Sequence, residues 1–411
     1  MEVVSLFKVI SDGGVTSPKG FQAGGLHCGL KKTSRNDLGA IVCEVPAVAA
    51  AVYTTSVFQA APLKVTRESI AAGERRLRAI VVNSGNANAC TGQQGEADAY
   101  EMRASAAAAL GLAETEVAVA STGVIGELLP MDRVSSGIAA LPSSLSGDNE
   151  GSEQFCQAIL TTDLVKKEVV VSLEVDGREV RIAGAAKGSG MIHPNMATML
   201  AFVTTDAVIE PHSLQGLLGA TTDLTFNMIT VDGDTSTNDM LLTMASGLAG
   251  NTELSQSHPD WDAFAAAFQY VCQTLAKAIA RDGEGASRLV EVTVEGAVTD
   301  ESARAIAKTI VGSSLVKTAV FGADANWGRI IAAVGRAGEP VNPDTVDIKL
   351  GDIIVLTGSR PIPFDEEEAL VYLKGDTIAI KVDLHHGSGH ATAWGCDLTY
   401  DYVRINAAYR T

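Results

Sequence analysis

The 411-residue sequence is short of positive charge, of closely spaced cysteines and of long apolar runs, and each shortage excludes a class of protein. Lys and Arg number 31 against 49 Asp and Glu, a net charge of −18. An excess of that sign is repelled by phosphate backbones and anionic lipid, so neither nucleic acid nor a membrane surface is an expected partner. The six cysteines (Cys28, Cys43, Cys90, Cys156, Cys272 and Cys396) stand singly, with no C-x-x-C. This is neither a disulfide framework nor a zinc signature, and reduced thiols in the cytoplasm are the expectation. No apolar run reaches the roughly 18 residues that a membrane span needs. Met1–Gly25 has neither the pattern of a secretion signal nor that of a transit peptide. Also missing are G-x-x-x-x-G-K-[ST], G-x-G-x-x-G after a strand, H-E-x-x-H and G-x-S-x-G.

What is present reads as a globular α/β chain. Apolar residues make up 46% and charged residues 19%, with 40 glycines to turn the backbone. The length exceeds the size at which single cores stop growing, so two lobes are expected. Val- and Ile-rich runs predict strands at Ala40–Glu44, Leu77–Val82, Val117–Ala120, Glu168–Val175, Glu179–Gly184, Met199–Val203, Leu289–Val294 and Thr377–Val382. Helical patterns fall at Glu96–Leu110, Met131–Leu141, Trp261–Arg281 and Asp300–Ile310. In the third, Phe264, Phe268, Val271, Leu275 and Ile279 recur at steps of three and four, which gives one apolar face. Strands and helices cluster, so the class is α/β of an α+β layered kind. Ser143–Ser152 is a candidate boundary and Asn251–Asp260 a surface loop. A final strand is the plain expectation for Val403–Thr411.

The chemistry concentrates in Lys187–Leu200, K-G-S-G-M-I-H-P-N-M-A-T-M-L. It sets Thr198 directly after the small Ala197. Were the bond between them cut, Thr198 would carry a nucleophilic hydroxyl and a free α-amine to serve as its base. Spacing alone leaves a plain reading open beside this one, in which Thr198 is a β-forming residue in a buried strand. Ser121–Gly126 is a glycine turn after an apolar strand, suited to aiming N–H groups and a hydroxyl at a developing oxyanion. Asn83–Gly92 reads as a turn stabilised by Asn side chains. Thr230–Asp239 lacks the closing glutamate of a calcium loop. His385–His390 is read as a polar turn, since adjacent histidines rarely converge on one ion, and no metal is expected.

Together these segments resemble the ornithine acetyltransferases, the bifunctional glutamate N-acetyltransferases of cyclic arginine biosynthesis. The resemblance runs along nearly the whole chain, through Asn83–Gly92, Ser121–Gly126, Lys187–Leu200, Thr230–Asp239 and Tyr402–Thr411 in the family's order. It implies a self-processing N-terminal-nucleophile acyltransferase that cuts itself between Ala197 and Thr198. The products would be an α chain 1–197 and a β chain 198–411, assembled as an α2β2 heterotetramer. Thr198 would be the nucleophile, with Thr122 (hydroxyl) and Gly123 (N–H) as the oxyanion hole. Substrate contacts implied are the Thr161-Thr162 pair, with Thr161 preferred, then Lys187, Thr198, Glu284, Asn406 and Thr411. The implied reaction moves an acetyl group from N2-acetyl-L-ornithine to L-glutamate through acetyl-Thr198. No cofactor is expected, with acetyl-CoA implied as an alternative donor in bifunctional members. A self-processing N-terminal-threonine amidase or aminopeptidase is the rival reading.

Overall fold

A computed structural model describes residues 6–193 and 199–408. The chain forms two compact units, one of Met1–Gly188, Asn195–Asp223 and Thr235–Leu275, the other of Ser189–Pro194, Leu224–Asp234 and Ala276–Thr411. Residues from both sides of position 197/198 enter each unit, so the units do not follow the expected α and β chains.

The first unit is built on a nine-stranded mixed sheet. Its path runs Lys8–Ile10, Lys167–Val175, Arg178–Lys187, Leu200–Thr205, Met240–Ala245, Leu38–Tyr53, Arg76–Asn86 and Val117–Val124, with Phe21–Leu26 paired to Leu38–Tyr53 off that path. Alternation places side chains on both faces. Ile80 and Val82 enter one buried cluster, whereas Ala79 and Val81 enter another with Met102, Val134 and Ile138. The long strand Leu38–Tyr53 is irregular, because Val42 pairs with Ala79 but Ala47 already pairs with Leu77. Extra residues on one strand bend it. Beyond the bend the strand pairs with Met240–Ala245. The two leaves then share one core, with Ile80, Val82 and Ala120 from one and Phe202, Met240 and Leu242 from the other. Phe155 of helix Asn149–Ile159 meets Phe202 edge-on, with ring centroids 5.5 Å apart.

The second unit has a seven-stranded sheet in the order Arg360–Pro361, Ile353–Thr357, Asp347–Leu350, Thr377–Asp383, Leu289–Ala297, Gly389–Cys396 and Ile229–Thr230. Helix Asp300–Val311 packs on it, burying Ile306 and Ile310. Thr299 caps this helix by accepting from the Ser302 N–H (3.2 Å), and Asp300 and Glu301 favour its N-terminal dipole.

The strands and helices expected from pattern are all present, and their ends fall close to the expected ones except that the strand expected at Ala40–Glu44 spans Leu38–Tyr53. Two expectations fail. Ser143–Ser152 is no boundary, for it lies inside the first unit, where Ser146 and Ala23 exchange backbone hydrogen bonds of 2.9 Å. The end of the chain forms a helix, Tyr400–Ala407, in place of a strand. Thr399 caps it by accepting from the Asp401 N–H at 3.1 Å. None of its residues is buried, so the apolar alternation there has no sheet to join.

Candidate active site

Pro194–Thr198 and residues 409–411 lie outside the described residues, which takes in the expected cleavage pair Ala197-Thr198 and Thr411. Their flanks are described. Leu200 opens a strand two residues after Thr198 and is the register partner of Lys187. The Met199 carbonyl accepts from the Met240 N–H at 2.9 Å.

In the first unit, Thr122 and Gly123 are not a turn after a strand. They belong to the strand Val117–Val124, in register with Ser84 and Gly85. Gly123 has a φ of +138°, and a Cβ there would collide with the Gly85 carbonyl carbon and come within 2.5 Å of the Asn86 nitrogen. Glycine is required both for conformation and for space. Gly123→Ala therefore displaces the neighbouring strand, at a cost of more than ~1–3 kcal/mol from strain and overpacking together. A lowered midpoint in urea unfolding checks this, and an unchanged midpoint counts against it.

The asparagines hold this strand end. Asn83 accepts from the Ser121 hydroxyl (2.5 Å) and donates to the Asn86 carbonyl (2.9 Å). Asn86 donates to the Glu127 and Leu128 carbonyls, both at 3.1 Å. Asn238, near the end of the Thr230–Asp239 motif, donates to the carbonyls of Ala87 (2.6 Å) and Ser121 (2.8 Å). The Asn-rich segment thus does stabilise a turn, and it also braces the strand that carries Thr122.

Lys187, at the end of strand Arg178–Lys187, donates from Nζ to the Thr122 hydroxyl oxygen at 3.3 Å. A hydroxyl that accepts from an ammonium keeps its own hydrogen to donate elsewhere and is polarised to do so. Beneath lies Asp163, which spacing did not single out. Its carboxylate accepts from Lys167 Nζ (2.8 Å), the Gly188 N–H (2.7 Å) and the Thr161 N–H (2.9 Å). The side chains of Lys167 and Asp163 are both fully buried. Burial alone would raise the Asp163 pKa, but the charges of Lys187 and Lys167 hold it well below the usual carboxylate range. Thr161 also turns its hydroxyl toward Asp163 at 3.4 Å. Thr162 is half-buried beside it. Asp239 is buried with Oδ2 unpaired, and burial pushes its pKa well up, with Lys187 opposing.

In the second unit, Glu284 is buried, and its Oε2 accepts from Asn406 Nδ2 at 2.8 Å. Two of the expected substrate contacts are thereby brought together. A Cβ at Gly190 would collide with the Glu284 carboxyl, so the glycine makes room for it. Ser189 holds the same turn, accepting from the Glu284 N–H (3.0 Å) and donating to the Asp282 carbonyl (2.7 Å). Asn406 lies on helix Tyr400–Ala407, which is tied to this turn by the Thr399 hydroxyl on the Gly285 carbonyl at 2.7 Å. Asp232, central to the calcium-like motif, spends its carboxylate on the Met191 (2.7 Å) and Ile192 (2.9 Å) N–H groups. Burial lowers the neighbouring His193 to about 4, so its ring is neutral at pH 7.

The two other candidate clusters lie elsewhere. His385 Nε2 meets the Asp347 carboxylate at 3.0 Å, a bond that raises the imidazole pKa. Asp176, His258 and Asp260 bring ligand-type atoms together, yet Thr252 already bonds both Asp176 and His258.

The ArgJ family matches residues 22–411 of this chain. An arginine biosynthesis bifunctional protein ArgJ from Geobacillus kaustophilus is 61% identical over 403 residues, covering 98% of this chain and 97% of its own. The crystal structure of an arginine biosynthesis bifunctional protein from Bacillus halodurans is 61% identical, covers 51% of this chain and 98% of its own, and has a TM-score of 0.50. An ornithine acetyltransferase complexed with ornithine, from Mycobacterium tuberculosis, covers 46% of this chain and 100% of its own at 38% identity, with a TM-score of 0.43. With a family match across nearly its whole length and a 61% identical relative running end to end, the chain belongs to the ArgJ family and is an acyltransferase of arginine biosynthesis.

Proposed function

We propose that the chain cuts itself between Ala197 and Thr198 and then carries an acetyl group on Thr198, from N-acetylornithine to glutamate. The observation that carries this reading is the polarised Thr122 hydroxyl, 3.3 Å from Lys187 Nζ, beside an obligatory glycine at 123. A hydroxyl and an N–H on consecutive residues form a donor pair for a tetrahedral oxyanion. The Bacillus halodurans chain supports the cut, for it spans 51% of this chain while a relative of similar identity runs its length. A cut at 197/198 divides the chain near its middle.

In maturation, Thr198 Oγ attacks the Ala197 carbonyl carbon, and the peptide C–N bond breaks to leave an ester, with the threonine amine free and protonated by the hydroxyl hydrogen. Water then hydrolyses that ester to release the Ala197 carboxylate and restore the Thr198 hydroxyl. In turnover, that amine takes the hydroxyl proton as Oγ attacks the acetyl carbon. An α-amine titrates near ~8, so a useful fraction is neutral at pH 7. Thr122 and Gly123 hold the oxyanion, which collapses as ornithine leaves with the proton on its nitrogen. The α-amine of glutamate then attacks the acetyl ester, and Thr198 Oγ departs protonated. Two half-reactions through one acyl-enzyme give ping-pong kinetics. Acetyl-CoA is an alternative donor to the same threonine, and no resident cofactor takes part. The cleaved halves assemble as α2β2. Six unpaired thiols suit a cytoplasmic setting.

Lys187 pairs with a substrate carboxylate, and Glu284, oriented by Asn406, takes a substrate amine. Thr161, Thr162 and Thr411 complete the contacts, with the Thr161 hydroxyl drawn toward Asp163. Glu284→Gln then raises KM for N-acetylornithine about ten- to a hundredfold, the worth of a charged hydrogen bond of ~1.5–3 kcal/mol. Steady-state kinetics checks it, and an unchanged KM would remove Glu284 from the binding set.

The deciding experiment is amino-terminal sequencing of any smaller fragment, joined to incubation with N-acetylornithine with and without glutamate. A fragment starting at Thr198 and N-acetylglutamate formed only with glutamate are expected. Ornithine release that ignores glutamate would instead mark an amidase.

A further inference from the structure

We infer that Lys31 is a second carboxylate-binding cation of this site and seats the amino-acid substrate alongside Lys187. The inference rests on the transfer to glutamate proposed above. Residues 27–37 join strands Phe21–Leu26 and Leu38–Tyr53 and hold His27, Lys31, Lys32 and Arg35 against a single acidic residue, Asp37. In a chain of net charge −18 such a run is a local reversal of sign.

The loop is shaped from inside. Asp37 is fully buried, and its carboxylate accepts the N–H groups of Cys28 (2.7 Å), Leu30 (2.8 Å) and Lys31 (2.9 Å). Three bonds to one carboxylate fix where the Lys31 backbone stands. From there its side chain runs over Gly85. A Cβ at Gly85 would lie 3.5 Å from Lys31 Cγ and 3.4 Å from the Leu30 carbonyl oxygen, ordinary contact distances, so the lysine stem packs against this strand, while the φ of +103° is what calls for glycine there. Gly85 is the register partner of Gly123, and Ser84 that of Thr122. The Lys31 stem therefore lies over the strand that pairs with the one holding the proposed oxyanion donors.

The ammonium itself is part-buried and donates to the Asn36 carbonyl at 2.6 Å. Among the described residues no carboxylate stands within ion-pair distance of it. Burial brings its pKa down to about 8, with attraction to Asp37 and Asp163 opposing and repulsion from Arg35 and Lys187 adding to the fall. Asp163 is already engaged by Lys167 and by the Gly188 and Thr161 N–H groups. A carboxylate placed between two mutually repelling ammonium groups relieves that repulsion and gains a charge-assisted bond to each.

Two carboxylates meet this description, the α-carboxylate that both amino-acid substrates carry and the side-chain carboxylate of glutamate alone. Lys31→Met keeps the stem and removes the charge, and Lys31→Arg restores a cation. In Lys31→Met, KM for glutamate should rise about ten- to a hundredfold with kcat within about threefold of wild type, and Lys31→Arg should recover most of the loss. An equal rise in KM for N-acetylornithine assigns the α-carboxylate, and no rise there assigns the glutamate side chain. Unchanged KM for both substrates in a normally folded Lys31→Met protein overturns the inference. A rise confined to KM for acetyl-CoA, or a fall in kcat alone, does so equally. Calorimetric binding of glutamate separates this from the reading beneath it. Wild-type protein that binds glutamate but transfers nothing would end the transfer proposal. Weaker binding by Lys31→Met would still uphold the lysine.

Discussion

Thr198→Ala should leave one 42.6 kDa chain that transfers no acetyl group. Both consequences follow from a single missing oxygen. Processing needs the hydroxyl to attack the preceding carbonyl, and without that step the α-amine that serves as base in turnover is never exposed. Loss of a nucleophile acting as a unit with its base costs about 10^4-fold or more in rate. Thr198→Ser retains a hydroxyl and an amine at the same position, so it should still be cut and still transfer, more slowly. Intact-mass spectrometry reads the first effect directly. After incubation with N-acetylornithine alone, the wild-type fragment beginning at residue 198 should gain the mass of one acetyl group. Two fragments from Thr198→Ala, or acetyl transfer by it, would sink the proposal.

Asp163→Ala should be the most damaging change to stability near the site. Its carboxylate lies 2.8 Å from the fully buried ammonium of Lys167 and also faces the charge of Lys187. Removing one partner of a buried pair leaves a buried charge uncompensated, at ~3–5 kcal/mol. The Gly188 and Thr161 N–H groups lose their acceptor as well. The double variant Asp163→Leu with Lys167→Met removes both charges and should recover much of that loss, since replacing a whole buried pair by apolar groups is often close to neutral. Urea midpoints of the three proteins test this, and a double variant no better than Asp163→Ala would refute it. The pH dependence has a definite sign. The folded pKa of Asp163 is depressed, so its contribution is complete above the unfolded carboxylate range and is lost only as pH falls below that range. Wild type should therefore lose more stability on acidification than the double variant.

The parts legible in the sequence are those set by neighbours along the chain. The apolar face of Trp261–Arg281 could be read because helical contacts recur every three or four residues, and Phe264, Phe268, Val271, Leu275 and Ile279 are all buried. The strand at Leu77–Val82 could be read from its Ile- and Val-rich run, apolar throughout except for Arg78. The end of the chain misled for a related reason: Tyr402, Val403 and Ile405 suggest a strand, whereas the Thr399 cap makes a helix whose residues all stay at least partly exposed. Asp163 closes a Thr-Thr-Asp run that recurs at 204–206 and 221–223, and nothing local marks it as the partner of two lysines.

By itself the sequence determined the chemistry on offer, a threonine after alanine in Lys187–Leu200, a Thr-Gly pair at 122–123 and a family likeness carried by contiguous motifs. Contiguous motifs are legible because each spells out a short backbone path. Only the tertiary structure decided that Lys187 meets Thr122 across 65 residues and that Asn238 braces Ser121 across 117. It also decided that Lys31 runs over the strand paired to Gly123. Those meetings depend on strand register and on the bend in Leu38–Tyr53, where four residues oppose one. A one-residue slip in register turns every side chain to the other face, and no local spacing encodes which register a distant strand will take.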